Sequence, residues 1–193
     1  MSLSALLPKC DARVAEHRVV NGSRAEVFGA AVANDLLLSS ALRPAGSALR
    51  DQRGAVCARD LPEVGEWARL SEDFSREIVL GGIAKLRARD HRWIRTSGHD
   101  FERFNEPGHV RIACSISVTS IGDGRCVLSY EIRARATDTR SRKLFGWIWK
   151  AIAPFVSVTM RAMATQVERR LTLRTSRDLG LRYIPADVAP MVT

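Results

Sequence analysis

Apolar and polar residues alternate most regularly between residues 110 and 135. In HVRIACSISVTS, Val110, Ile112, Cys114, Ile116 and Val118 alternate with Arg111, Ala113, Ser115, Ser117 and Thr119. In RCVLSYEIRARA, Cys126, Leu128, Tyr130, Ile132 and Ala134 alternate with Val127, Ser129, Glu131, Arg133 and Arg135. A period of two is that of a strand with one face on a core. The link between the two strands, IGDGR, decides their register. A two-residue loop at Gly122-Asp123 would set Ile116 opposite Ser129. A three-residue loop, Gly122-Asp123-Gly124, pairs Ile116 with Tyr130, Val118 with Leu128 and Cys114 with Ile132. A one-residue slip moves a whole face out of the core, so the three-residue loop is expected, with Gly124 left-handed. Cys114 and Cys126 then stand too far apart along the hairpin for a disulfide.

After the hairpin the period changes. Asp138 is placed to cap a long terminal helix. At helical spacing Phe145, Trp149, Ile152, Val156, Met160, Met163 and Val167 collect on one side, while Arg140, Lys143, Lys150, Arg161, Arg169 and Arg170 project elsewhere. Pro154 is expected to kink this helix midway. Residues 175–193 read as a tail.

Upstream, residues 1–13 read as a loosely held leader and residues 14–20 as a first strand. Ser23 and Glu26 have the S-x-x-E spacing of a capping box, and Val27, Phe28, Ala31, Val32 and Leu36 share one helical face behind it. Pro44 and Gly46 break that helix. EWARLSED, SREIVLGGIAKLRA and HRWIRTSG are candidate strands, and Gly81-Gly82 suggests a bulge or bend. FNEPG is a turn. One domain over 14–174 is expected, between leader and tail.

Composition narrows the function classes. A chain of 193 residues with 46% hydrophobic and 26% charged residues can bury a sizeable core. The longest greasy stretch, LFGWIWKAIAPFVSVTM, is interrupted by Lys150 and Pro154, which argues against a membrane span. Nothing near Met1 has the layout of a secretory signal, and the four cysteines show no paired spacing, so reduced thiols in a cytoplasm are expected. The net charge of +9 comes from arginines scattered over nearly every segment, without a basic block or stacking aromatics, which argues against nucleic-acid binding.

The order of elements (strand, helix, consecutive antiparallel strands, one long C-terminal helix) resembles the START-like, or SRPBCC, superfamily with its helix-grip fold. The segments FSREIVLGGIAKL (74–86), FNEPGHV (104–110) and SYEIRARATDTRSRKLFGWIWKAIAPFVSVTMRAM (129–163) carry the likeness, which is tighter to bacterial members near the polyketide cyclase/dehydrase and lipid-transport group. The resemblance implies an α+β, Bet v 1-like fold, with a curved antiparallel sheet wrapped around the long C-terminal helix. It also implies a cavity between the two, lined by Ile112, Ile116, Leu128, Tyr130 and Ile132 of the sheet. From the helix come Trp149, Ile152, Val156, Met160 and Met163. A filled core is the competing reading of the same two faces; the resemblance and the pliable methionines favour a chamber.

No catalytic constellation accompanies the cavity. His17, His91, His99 and His109 are isolated, no metal-ligand cluster is present, and neither cofactor nor metal is expected. Tyr130 is the one polar group that register sends to the buried face. Its hydroxyl meets either a backbone carbonyl, the favoured reading, or the polar end of a ligand. Trp147 lies nearly opposite the apolar stripe beside Lys150 and Arg161. It packs beneath a terminal segment, the favoured reading, or docks on an anionic membrane.

Non-catalytic binding of a hydrophobic or amphipathic small molecule, lipid- or polyketide-like, is therefore expected. The alternatives are an aromatase/cyclase-like enzyme, with Tyr130 and His99 as its candidate groups, or a basic module contacting a membrane or protein. Oligomeric state is not written in the sequence.

Overall fold

A computed structural model describes residues 2–34, 67–86, 93–94 and 96–178, the side chains of residues 93 and 175–178 apart. Leu36, the break at Pro44 and Gly46, Cys57, His91 and the chain beyond residue 178 lie outside the described residues. The strands are β1 (Ala12–Asn21), β2 (Ala68–Asp73), β3 (Glu77–Lys85), β4 (Trp93–Ile94), β5 (His109–Gly122) and β6 (Arg125–Ala136). The helices are α1 (Leu3–Leu6), α2 (Arg24–Val32), α3 (Gly98–Arg103) and α4 (Thr139–Asp178). The strands form one antiparallel sheet in the order β1-β6-β5-β3-β2, with β4 on β3.

The hairpin register is the one apolar alternation demands: Ile116 opposes Tyr130, Val118 opposes Leu128 and Cys114 opposes Ile132. The loop that achieves it differs from the expected one. Pairing resumes at Gly122 with Arg125 after a shift past Ser120, so Ile121 is an extra residue in the strand. The turn proper is Asp123-Gly124, with φ of 51° and 65°. Two positive φ angles give the turn the twist that antiparallel strands need. The bulge at Ile121 then restores the register a bare two-residue turn would have lost.

β3 is buried on both faces. Ile78 and Leu80 enter the main core, while Val79 and Ile83 look the other way. The outer face is covered by Leu3, Leu6 and Leu7 of the N-terminal segment and by Phe101 of α3. The expected loose leader is therefore a plug, with Leu3 and Leu7 2% and 1% exposed. Arg133 holds it in place, donating to Leu7 O at 3.1 Å and to Ser4 Oγ at 3.0 Å. Arg111 belongs to this layer too. Its guanidinium donates to the carbonyls of Phe101 (3.2 Å) and Glu102 (2.6 Å), which the end of α3 leaves without helical donors.

The irregularity expected at Gly81-Gly82 sits one strand over. β3 pairs with β5 without a break from Glu77 to Lys85, whereas β2 shifts register between Arg69 and Ser71. Leu70 is the additional residue, and its side chain occupies the space beside Gly81. A Cβ there would fall 2.4 Å from Leu70 Cδ1 and 3.1 Å from the Phe101 ring. Glycine is required at 81 by close approach. HRWIRTSG contributes only the two residues of β4; Ser97 then caps α3 by accepting from Asp100 N.

The inner face packs on α2 and α4. The capping box of α2 is formed by Ser23 and Glu26, and Val27, Phe28, Ala31 and Val32 are buried as their spacing indicated. Asp138 caps α4: its carboxylate accepts from Ser141 N at 2.9 Å and also from Gly108 N at 2.7 Å, tying helix to hairpin. Those donors hold the Asp138 carboxyl well below the usual carboxylate range. The helix passes Pro154 and continues to Asp178, so residues 175–178 of the expected tail are helical. Along its β1 side α4 is latched by polar pairs. Glu16 accepts from Arg161 Nε at 3.0 Å and from Ser157, and Arg18 donates to Glu168 at 2.6 Å and Thr165 at 3.0 Å. A curved antiparallel sheet closed against a long C-terminal helix is a helix-grip architecture, the α+β fold that the element order implied. No helix among the described residues is long and apolar enough to cross a membrane.

Candidate functional site

α4 is packed closely at two places, once on the sheet and once on α2. At one, Phe145 packs with Ala12, Val110 and Ala134, flanked by Ile112 and Trp149. At the other, Met163, Val167 and Leu171 pack with Val27, Phe28 and Val32 of α2. α2 contacts both the sheet and α4, and so props that end of the helix above the strands. Between the two packed ends lies a cavity of about 520 Å³.

Seven of the ten residues expected to line a chamber surround it. Ile116, Tyr130 and Ile132 come from the sheet, and Ile152, Val156, Met160 and Met163 from α4. The other three do not reach it. Leu128 is 0% exposed within the core beside α2, and Ile112 and Trp149 belong to the cluster that closes the far end. The period-two pattern put Ile112 and Leu128 on the correct face but could not say where along the strands helix and sheet part. Further lining comes from Trp67, Leu80, Cys114, Phe155 and Thr159. Cys114 was legible, since it alternates with Ile112 and Ile116; Leu80 follows from the pairing of β3 with Cys114 of β5.

The lining is mostly apolar, with hydroxyl residues at Tyr130, Thr159 and Ser115. Tyr130 Oη and Thr159 Oγ1 are both buried, and neither has a hydrogen-bond partner among the described residues. No described residue supplies the backbone carbonyl expected for Tyr130. Burial pushes its phenol above the ordinary value and keeps it protonated. Burial likewise pushes the Cys114 thiol up to about 12, which leaves it a small hydrophobe and not a nucleophile. Glu131 neighbours the cavity, but its carboxylate is engaged on the other face by Arg13 and Arg133, each at 2.7 Å.

The described histidines stand apart from the cavity. His17 Nδ1 contacts Ser129 Oγ at 2.8 Å, and His109 is buried with Nδ1 near the carbonyls of Glu106 and Pro107. His99 is exposed beside Asp100. Among the described residues no three potential metal ligands cluster. A second, open depression is lined by Arg24 and Arg76 together with Asp73 and Glu77. Its opposed charges define no ligand.

One side of the cavity reaches the surface. Ile152 (40% exposed) and Phe155 (66%) line the cavity and also continue into an exposed apolar face with Trp147 (75%) and Val158 (54%). Trp147 is thus not packed beneath the N-terminal segment. Lys150 Nζ stands 5.7 Å from its ring centroid. From Thr139 to Val167 the helix carries no acidic residue, while Arg140, Lys143 and Lys150 have no ion-pair partner among the described residues.

An α+β helix-grip architecture with an apolar chamber between sheet and C-terminal helix is thereby defined. No family model matches the chain, and no curated protein matches its sequence. In three-dimensional comparison, solved structures resemble it. A hypothetical protein from Helicobacter pylori is 9% identical, with 86% of this chain and 95% of that one covered and a TM-score of 0.37. The Zhui aromatase/cyclase from Streptomyces sp. R1128 is 12% identical, covering 83% and 95%, with a TM-score of 0.30. A conserved protein from Geobacillus kaustophilus is 15% identical, covering 80% and 96%, with a TM-score of 0.25. Likeness at this level assigns no role to any residue.

Proposed function

We propose that the protein binds a hydrophobic or amphipathic small molecule, lipid- or polyketide-like, in the cavity between the sheet and α4, without covalent chemistry. The cavity itself carries this reading. Its volume lies within the range usual for small-ligand sites, and its lining is almost wholly apolar. Apolar contact would supply affinity at about 25 cal/mol per Å² buried, before the costs of association. The two methionines let the walls adjust to a ligand of variable shape. An aromatase/cyclase-like activity would draw on the same chamber. Tyr130 is the only acid–base group whose side chain the described residues bring to it besides the inert Cys114, so binding is the better-supported role.

Titration with Nile red, a neutral polarity-sensitive dye, tests it. Saturable one-site binding is expected, together with its weakening in Met160→Trp, whose indole narrows the chamber while circular dichroism stays unchanged. Undiminished binding by that folded variant would place the dye, and the site, elsewhere.

The exposed apolar face of α4 favours a second, compatible role: contact with an anionic membrane surface. Trp147, Phe155 and Val158 would sit at headgroup depth, and Lys143 and Lys150 would meet lipid phosphates. Continuity of this face with the cavity mouth at Ile152 and Phe155 would let a ligand pass between bilayer and chamber. Co-sedimentation with phosphatidylglycerol vesicles, weakened in Trp147→Ala/Phe155→Ala and by salt, is the expected result. Equal recovery with phosphatidylcholine vesicles would remove the electrostatic part of this reading.

A further inference from the structure

The cavity is greasy, but two buried hydroxyls on its walls have no partner among the described residues, and those two atoms constrain what it holds. Buried hydroxyls in folded proteins nearly always have partners, and a buried tyrosine hydroxyl in particular. Tyr130 Oη on β6 and Thr159 Oγ1 on α4 have none among the described residues, and both residues line the same chamber.

Thr159 is informative because its own helix supplies the comparison. A threonine inside a helix ordinarily turns its hydroxyl back on the carbonyl four residues earlier. Thr165 does so to Arg161 O at 2.9 Å and Thr172 to Glu168 O at 3.0 Å. Thr159, at the chamber, makes no such bond.

Charge supplies the second constraint. Every described side chain on the inner faces of β3, β5 and β6 around the chamber is uncharged: Leu80, Cys114, Ile116, Tyr130 and Ile132. The one carboxylate nearby, Glu131, is committed to Arg13 and Arg133 outside. Arg170 of α4 acts on Tyr130 electrostatically but does not line the chamber, and no other cationic side chain among the described residues lines it. An ionised carboxylate or phosphate there would be desolvated without a directly paired counter-charge, which is far costlier than leaving it in water.

We infer that the ligand is an uncharged molecule, apolar over most of its surface and bearing an accepting oxygen of the ketone, ester or ether kind. The Tyr130 hydroxyl donates to that oxygen, and Thr159 stands ready for the same or a second oxygen. This rests on the reading of the cavity as a ligand site and names the class of molecule that fits it. One ligand oxygen held from β6 and α4 at once also ties the helix to the sheet where the two are otherwise parted. Free fatty acids and headgroup phosphates are excluded from this position; a neutral acyl ester or an oxygenated polycyclic molecule is accommodated.

Displacement of Nile red by fluorene, 9-fluorenone and 9-fluorenone-2-carboxylate separates the alternatives, because the three share one skeleton. For the unaltered protein at pH 8, fluorenone should bind about tenfold more tightly than fluorene, the worth of one hydrogen bond to a buried donor. The carboxylate should bind more weakly than either. Tyr130→Phe should cut the fluorenone preference and leave fluorene affinity unchanged. Tyr130→Phe/Thr159→Val should bind fluorene and fluorenone equally. Equal affinities in the unaltered protein, a preference that survives in the double variant, or tightest binding of the carboxylate each overturn the inference while the cavity reading stands. Absence of Nile red binding would overturn the cavity reading and this inference with it.

Discussion

Removing the Tyr130 hydroxyl should make the empty protein more stable, the reverse of what a buried tyrosine usually shows. The ring is 3% exposed and packs in the main core between Leu128 and Ile132 on its own strand, opposite Ile116. Phenylalanine keeps all of that contact. What is lost is an oxygen with no partner among the described residues. An unmet buried polar group costs about 1–3 kcal/mol, and the adjoining cavity places Tyr130 at the low end, so Tyr130→Phe should gain about 1 kcal/mol. For a chain of this length that raises Tm by about 2–4 °C. The assay is paired thermal and urea unfolding on protein freed of small molecules by refolding from guanidinium, with a raised midpoint and an unchanged m-value expected. The pH dependence has a definite sign. Burial raises the folded phenol above its unfolded value, so wild-type stability is unaffected below about pH 10 and falls as the unfolded phenol ionises. The advantage of the phenylalanine variant should therefore be flat from pH 6 to 9 and widen above 10. A lower Tm for Tyr130→Phe throughout would mean that the hydroxyl is well bonded in the empty protein, and the reasoning from its isolation would fail.

Other perturbations test the frame around the chamber. Gly81→Ala should cost about 1–3 kcal/mol by overpacking, since its Cβ would meet Leu70 and Phe101, and Leu70→Ala in the same chain should recover part of that loss. Denaturant unfolding of the single and double variants decides it. Leu7→Ala should cost about 2–3 kcal/mol, because Leu7 is 1% exposed against the outer face; a cost near zero would return the N-terminal segment to a loose leader. Asp138→Ala should lower Tm at pH 7. The depressed Asp138 carboxyl contributes stability above the unfolded carboxylate value and loses it as pH falls through the folded one. The Tm gap between wild type and variant should thus close in acid; a gap that persists unchanged at pH 2 would deny the cap its charge.

What could be read from the sequence was whatever a single period or spacing determines. The β5–β6 register follows from alternation and loop length together, because a one-residue slip buries Glu131 and Ser129, and the protein inserted a bulge at Ile121 to preserve it. The Ser23–Glu26 capping box and the α4 stripe are equally local. The covering of the outer face was missed for want of a period: Leu3, Leu6 and Leu7 span barely one turn. A signal existed on the other side of that contact. Ile78-Val79-Leu80 is an unbroken apolar run, which implies burial on both faces, and so a cover. α3 has no counterpart in the sequence reading because it is short, although Ser97 and Asp100 have cap spacing. The chamber's ends depend on how far α2 lifts α4 from the strands, a tertiary distance. Hence Ile112, Leu128 and Trp149 share the expected faces yet lie beyond the cavity.

Methyl spectra settle the central claim most directly. The chain has four methionines, and the two inside it, Met160 and Met163, both line the chamber. With methionine methyl groups labelled with carbon-13 and assigned through Met160→Leu and Met163→Leu, titration of 9-fluorenone should move both resonances together, saturably and at one stoichiometric site. Saturable binding that leaves Met160 and Met163 unmoved would contradict a ligand chamber between sheet and C-terminal helix.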